Sequence, residues 1–331
     1  MEETLKIDLK NISVLQSLPS CLVELYCGYN NLTELPNLPA TLRTLNCPHN
    51  ALSRLPKLPA LTVLDITANH IVKLRPPDTL VILYCSFNPR IEISTLPAGL
   101  KELHCCSNQL TSLSLPSKLE IVYCSYNGLK TLMIPPGLKE LICDHNFLKR
   151  LDLPTSLTVL DCVDNRLTTL TLPPDLQEAS CSHNQLTSLV LNKRVTRVNL
   201  AHNPILVVPA LHPGIVFLNL SQTLIEQCFK LYPPLDEGGL YLHGTPLYAK
   251  MKAVLDFDVF LTPHLIKLSF EMITMIEEKF KENYYGLKVR DPLRSWMWRA
   301  RDTLARRKYH PDELWKMLEQ DDYVDAVEQW E

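Results

Sequence analysis

Residues 100–108 read LKELHCCSN, and the same pattern, L-x-x-L-x-C-x-x-N, returns as LVELYCGYN at 22–30 and as LTVLDCVDN at 157–165. Its final asparagine recurs every 19 or 20 residues, at Asn30, Asn50, Asn69, Asn88, Asn108, Asn127, Asn146, Asn165, Asn184 and Asn203. Such a short and regular period predicts a stack of similar units, each burying its apolar side chains against its neighbours.

Each unit is expected to contribute one short strand to a parallel sheet. Apolar and polar residues alternate along the pattern, as they do in a strand with one buried face. The asparagine amide can satisfy backbone groups where the chain leaves the strand. A Leu-Pro pair such as Leu38-Pro39 recurs in the return stretch, where proline favours an extended, polyproline-like connection over a helix. Imperfect copies at both ends, with Lys10, Thr223 and Thr245 at the asparagine position, bring the total to about 12 strands.

These units resemble leucine-rich repeats. Residues 38–55, LPATLRTLNCPHNALSRL, are similar to the short repeats of bacterial type III effector proteins, and LYCSFN at 83–88 and ARRKYHPDELWKML at 305–318 resemble giant DNA virus proteins. The resemblance implies an α/β leucine-rich-repeat solenoid with a parallel concave sheet and an extended back. Some of those effectors carry a ubiquitin ligase domain with a catalytic cysteine. Because no cysteine follows Cys228, we do not expect that activity here.

The composition changes near residue 246, which divides the chain into a solenoid (1–245) and a helical C-terminal module (246–331) that caps it. Helical spacing predicts helices over 248–260 and 263–283. Residues 284–310 hold eight Lys or Arg against two Asp, whereas 311–331 hold eight acids against one Lys. These segments are interpreted as charge-paired helices. A partner-binding or nucleic-acid-binding tail and, from LTPHLIKLSF at 261–270, a ubiquitin-ligase adaptor are the alternatives.

One position of the repeat, three residues before the asparagine, is taken by cysteine in eight copies: Cys27, Cys47, Cys85, Cys105, Cys124, Cys143, Cys162 and Cys181. Ile66 and Leu200 occupy it elsewhere, so it is predicted to face the core. A disulfide stack or a metal site is the alternative, although thiols one strand apart do not make a tetrahedral site. A second column holds His49, His145, His183 and His202 and is interpreted as planar surface residues.

Composition and motifs exclude several function classes. The net charge of −3 argues against a general nucleic-acid binder, and no apolar run is long enough to cross a membrane. Without an apolar signal sequence, a cytoplasmic location is expected, which is the host cytoplasm if the source is viral. No phosphate-binding, hydrolase or metalloprotease motif occurs, so the sequence predicts no enzyme, cofactor or bound metal. The oligomeric state is not predicted.

The remaining candidate is the concave face, where the middle repeats bring apolar and aromatic residues together. The predicted partner-binding residues are Ile82, Tyr84, Phe87, His104, Ile121, Tyr123 and Tyr126. Small residues lie between them at Ser86, Cys106 and Ser125, and Cys106 is expected to be mildly reactive. Exposed aromatic residues anchor many interfaces, so a protein partner is predicted. The alternative is that these rings only cover the sheet.

Overall fold

A computed structural model describes residues 3–227 and 239–255 and contains 15 strands and one helix. The strands are β1 (Thr4–Lys6), β2 (Glu24–Tyr26), β3 (Thr44–Asn46), β4 (Val63–Asp65), β5 (Lys73–Leu74), β6 (Ile82–Tyr84), β7 (Glu92–Ile93), β8 (Glu102–His104), β9 (Ile121–Tyr123), β10 (Glu140–Ile142), β11 (Val159–Asp161), β12 (Glu178–Ser180), β13 (Arg197–Asn199), β14 (Phe217–Asn219) and β15 (Leu240–Tyr241). The helix is α1 (Pro246–Leu255). Thirteen strands form one parallel sheet in chain order, so the predicted solenoid fold is confirmed with one strand more than expected.

The sheet repeats because each strand pairs with the strand of the next unit in the same register. Leu83 pairs with Leu103, and Leu103 pairs with Val122. These central strand residues are fully buried, as are Leu100 and Cys105 on either side of β8. The apolar positions of the pattern therefore form one continuous core that runs the length of the array. The cysteine column belongs to this core, which confirms its predicted place.

The asparagine of each repeat joins its own turn to the preceding repeat. Asn127 Nδ2 donates to the carbonyls of Cys124 (3.0 Å) and Ser125 (3.2 Å) in its own turn, and to the carbonyl of Cys105 (2.9 Å) one repeat earlier. Its Oδ1 accepts from the N–H of Leu110 at 2.8 Å. One buried amide thus satisfies backbone groups on both sides of a repeat boundary, as the sequence predicted.

The residue before the asparagine position of each repeat adopts a left-handed backbone conformation. Its φ lies between 51° and 57° in Leu9, Tyr29, His49, Ala68, Phe87, Ser107, Tyr126, His145, Asp164, His183, His202 and Gln222. In the last copy the position is Gly244, with φ 72°. The shared property of the column that was interpreted as planar surface residues is therefore a sharp turn of the backbone. Every residue other than glycine has a steric cost in this conformation.

The return stretches contain no helix in the described residues, and two of them form a small sheet of their own. Strand β5 pairs in parallel with β7, a feature that the repeat pattern did not predict. Pro89 and Gly128 take the same repeat position, directly after the asparagine. Gly128 donates its N–H to a carbonyl of the preceding repeat, whereas Pro89 has no N–H to donate. Glu92 N donates to Val72 O instead, at 2.7 Å.

The described chain ends by converting the repeat into a helix. Thr245, at the asparagine position, donates its hydroxyl to Leu242 O (2.8 Å) and accepts from the N–H of Tyr248 (2.9 Å), which makes it the N-cap of α1. Pro246 follows at the first helical position, where proline is favoured. The helix therefore begins two residues before the predicted 248. At ten residues it is too short to cross a bilayer, and it is the one helix in the part of the chain described here. The other predicted helices lie outside the described residues, and the two-domain division stays a prediction.

Candidate functional site

The candidate site lies on the side of the main sheet that faces away from the apolar core. We call this surface the concave face and define it as the third, fifth and seventh residues of each nine-residue pattern. Register places Ile82, Glu102, Ile121 and Glu140 side by side in the third column. It places Tyr84, His104 and Tyr123 side by side in the fifth column. All seven side chains are half-buried, because their neighbours on adjacent strands cover their flanks.

The fifth column forms a row of aromatic rings across β6, β8 and β9. The ring centroids of Tyr84 and His104 are 4.6 Å apart with an edge-on geometry, and those of His104 and Tyr123 are 4.2 Å apart and tilted. Aromatic rings at these separations attract one another beyond the area that they bury. Three residues predicted from the sequence are therefore in direct contact.

Two glutamates from the neighbouring column hold the polar ends of these rings. Glu102 Oε1 accepts from the Tyr84 hydroxyl at 2.7 Å and lies 2.9 Å from His104 Nε2. The Tyr123 hydroxyl donates to Glu140 Oε1. Hydrogen bonds to a carboxylate are stronger than those between neutral groups, so the rings are fixed in position before any partner arrives. Neither glutamate was among the predicted residues.

The environment keeps both phenols protonated and the imidazole neutral. Burial and the hydrogen bond to Glu102 raise the pKa of Tyr84 to about 12, and the hydrogen bond to Glu140 with burial raises that of Tyr123 to about 12. Burial lowers the pKa of His104, against the opposing effect of Glu102. At neutral pH the hydroxyls therefore donate, and the negative charge of the carboxylates is not cancelled by an imidazolium.

Phe87 and Tyr126 lie beside the strand face, at the left-handed corners. Each ring is more than half exposed, with 57% and 56% of its surface accessible. Tyr126 stacks on His145 with centroids 4.0 Å apart and an interplanar angle of 12°. The seven predicted residues therefore form two groups, a half-buried row on the strands and an exposed rim at the corners. Their role in binding a partner stays a prediction.

The seventh column is small, as predicted, but little of it is open. Ser86 and Ser125 are buried, and the Ser125 hydroxyl donates to Asp144 Oδ1. Cys106 is half-buried, and burial raises the pKa of its thiol. Because the thiolate is the nucleophile, the expected mild reactivity of Cys106 is not favoured.

A sequence signal for the missed glutamates exists at the repeat period. Glu102 follows Tyr84 by 18 residues and Glu140 follows Tyr123 by 17, so each acid lies on the strand after its tyrosine. This contact joins two different columns of the repeat, so it is not visible when each column is read by itself.

The cysteine and histidine columns offer no ligand cluster. All ten cysteines in the described residues are free thiols, and burial raises the pKa of Cys105 and Cys143, among others. No group of three His, Cys, Asp or Glu side chains in this part of the chain is arranged to hold a metal ion. The histidines stack at the corners instead, as His183 does on His202 at 4.0 Å.

Comparison with known proteins places this architecture among leucine-rich-repeat structures. YopM from Yersinia enterocolitica matches with a TM-score of 0.65 and 34% identity over 68% of this chain, which spans about half of that protein (52%). YopM from Yersinia pestis, described as a leucine-rich effector protein, matches with a TM-score of 0.62 and 28% identity over 74% of this chain and 78% of its own.

A third solved structure also has cysteines as a named feature. The functional domain of InlJ from Listeria monocytogenes, described as including a cysteine ladder, matches with a TM-score of 0.55 and 25% identity, over 73% of this chain and 58% of that domain. No family model matches the sequence, and no curated protein does. The solenoid fold is thus shared with leucine-rich-repeat proteins, among them a leucine-rich effector.

Proposed function

This chain is a leucine-rich-repeat protein, and we propose that it acts as a non-enzymatic scaffold that binds a protein partner on its concave face. Structures with this fold fit a role in protein–protein interaction. The surface involved is the middle of the sheet, from β6 to β10. The contacting residues are Tyr84, His104 and Tyr123, which we call the ring row, and the exposed corner rings of Phe87 and Tyr126 beside it.

The observation that carries this proposal is the fixed position of the ring row. His104 contacts both Tyr84 and Tyr123, and Glu102 and Glu140 hold the two hydroxyls. A partner that docks here meets side chains that lose little conformational freedom, and lower ordering costs strengthen binding. Tyrosines of this kind often contribute most of the energy of an interface.

The chain provides a matched control for a test of this surface. Tyr26 and Tyr29 take the same two repeat positions on β2 as Tyr123 and Tyr126 do on β9. Tyr29 is 55% exposed and stacks on His49 at 4.4 Å, much as Tyr126 stacks on its histidine. Substitution of either tyrosine pair by Ala therefore removes similar side-chain contacts, but at two different places on the face.

The experiment compares three forms of the full chain in affinity capture from host-cell lysate, followed by mass spectrometry. The Tyr123→Ala/Tyr126→Ala variant is expected to lose the partner captured by the native chain, whereas Tyr26→Ala/Tyr29→Ala is expected to keep it. Circular dichroism melts check that both variants fold to a similar extent. Retention of the partner by the first variant, or equal loss in both, would move binding away from the middle of the sheet.

Other functions indicated by the sequence involve residues 246–331. A ubiquitin-ligase adaptor would use the C-terminal helices, and a nucleic-acid-binding tail would use the Lys and Arg of 284–310. A viral source and a location in the host cytoplasm also stay predictions from the sequence. Capture of a ligase linker protein, or binding to nucleic acid that weakens steeply with salt, would favour these functions over the concave face.

A further inference from the structure

Acidic side chains are concentrated on the concave face. Its three columns hold eight carboxylates in the described repeats: Asp8, Glu24, Asp65, Glu102, Glu140, Asp144, Asp161 and Glu178. The same columns hold two basic residues, Lys6 on β1 and Arg197 on β13. The whole chain has a net charge of only −3, so this face is far more acidic than the average surface.

Among the described residues, no carboxylate of this face pairs with a Lys or Arg, whereas several carboxylates off the face do. Off the face, Glu120 pairs with both Lys101 (3.5 Å) and Lys139 (2.6 Å), and Asp175 pairs with Arg194 (2.8 Å). On the face, within the described residues, the carboxylates pair with histidines alone: Glu102 with His104, and Asp144 with His145. The negative charge of the concave face is therefore left uncompensated by Lys or Arg.

At each end of the face, a basic side chain of the protein itself lies over an aromatic ring. The ammonium of Lys6 lies over the Tyr26 ring at 5.2 Å, and the guanidinium of Arg197 lies over the Phe217 ring at 5.0 Å. Cations are attracted to the faces of aromatic rings at such distances. In the middle of the face, rings and carboxylates occur together, but no Lys or Arg occupies any of the three columns between β2 and β12.

We propose that the partner's contacting segment is cationic, an extended stretch rich in Arg and Lys that crosses the strands between Asp65 and Asp161. This inference rests on the proposed scaffold function and specifies the chemistry of its partner. Five strand-to-strand steps separate β4 from β11 in the main sheet, which is about 24 Å at ~4.8 Å per step. An extended chain covers that span with about seven residues.

Electrostatics favours this occupant over a neutral or acidic one. Asp161 is half-buried, and burial together with the nearby Asp144 raises the pKa of its carboxyl. A cation placed between the two carboxylates relieves their repulsion, and the attraction is stronger in a partly dehydrated groove than in open water. Arginine suits the site further because it can pair with a carboxylate and stack on a tyrosine at the same time.

The test uses the full chain and a fluorescein-labelled peptide, RSRSRSR, with fluorescence anisotropy as the readout. A citrulline version of the peptide removes the charge and keeps the shape. The face variant replaces four carboxylates by amides, which still accept hydrogen bonds: Asp65→Asn, Glu102→Gln, Glu140→Gln and Asp161→Asn. The control variant makes the same change of charge at four acids off the face: Glu34→Gln, Glu92→Gln, Asp152→Asn and Asp175→Asn.

The expected result is binding of the arginine peptide that weakens at least tenfold in the face variant and less than twofold in the control. Binding should also weaken as salt rises, and the citrulline peptide should not bind. Equal loss in both variants, or no binding, would overturn the proposal. So would a rise in affinity when Arg299, Arg301, Arg306 and Arg307 are changed to Gln, because the chain's own basic segment would then be the occupant.

Failure of this inference is distinguishable from failure of the scaffold function. If the captured partner is lost by Tyr123→Ala/Tyr126→Ala but kept by the face variant, the concave face binds a partner that is not cationic. If both variants keep the partner, the concave face is not the binding surface and both proposals fall.

Discussion

Replacement of Asn127 by Ala tests whether the asparagine column stabilises the repeat. The three carbonyls that accept from Asn127 Nδ2 keep other donors: Asn108 Nδ2 for Cys105, Asn146 Nδ2 for Cys124, and Ser107 N for Ser125. The N–H groups of Asn108 (3.2 Å) and Leu110 (2.8 Å) have Oδ1 of Asn127 as their one acceptor among the described residues. The substitution therefore leaves two backbone donors without a partner.

The magnitude follows from those two donors. An unsatisfied buried group costs about 1–3 kcal/mol, and the Asn108 bond is buried whereas the Leu110 bond is half-buried, so Asn127→Ala should lower the free energy of unfolding by about 1–4 kcal/mol. Asn199 provides the control, since it is half-buried and, within the described part of the chain, its Oδ1 accepts one bond, from the N–H of Ala201 (3.2 Å), while its Nδ2 makes a long bond to Ser182 Oγ (3.4 Å). Asn199→Ala should cost under ~1 kcal/mol because water can replace these bonds. Urea unfolding followed by circular dichroism measures both, and a loss below ~1 kcal/mol in Asn127→Ala would refute the reasoning.

Two further predictions concern the corners and the ring row. Ala68→Gly should stabilise the protein by about 0.5–1 kcal/mol, because glycine adopts the φ of 53° found at Ala68 without strain. Ala210→Gly, at a position outside the left-handed region, should destabilise it by a similar amount. Equal effects of the two substitutions in urea unfolding would contradict this. Burial lowers the pKa of His104 below 6.5, so the unfolded chain takes up a proton first and stability should fall as pH drops through that value. Melts at pH 7.5 and 5.5 should show a smaller fall for His104→Gln, and an unchanged fall would contradict the assignment.

Periodicity makes the main features of this fold predictable. The asparagine spacing predicts the number of units, the leucine positions predict the core, and Ile66 and Leu200 reveal that the cysteines of the same column are apolar core residues. Each of these features depends on a side chain's place within its own repeat. A single sequence with ten copies effectively supplies its own alignment.

Features that depend on neighbouring repeats were harder to predict. The tyrosine–glutamate bonds join side chains of different columns 17 or 18 residues apart, and a column-by-column comparison does not detect them. The left-handed corner was hidden because the side chains at Tyr126 and His145 suggested a preference for ring shape, although the constraint acts on the backbone. The β5–β7 sheet joins the return stretches of two neighbouring repeats, and the repeat pattern contains no signal for it.

The regular pairing of the main sheet has a consequence for how the length of the molecule can change. From β1 to β14, every strand of the main sheet pairs with the strands of the adjacent units, at an offset of 19 or 20 residues. Deletion of residues 109–127 joins Asn108 to Gly128 and places two equivalent turns together, so the backbone pairing and the asparagine bonds keep their pattern, whereas the side-chain contacts of Tyr123 and Tyr126 are lost. The number of units is thus a nearly independent variable, and gain or loss of one lengthens or shortens the docking surface in steps of ~4.8 Å without redesign of the rest.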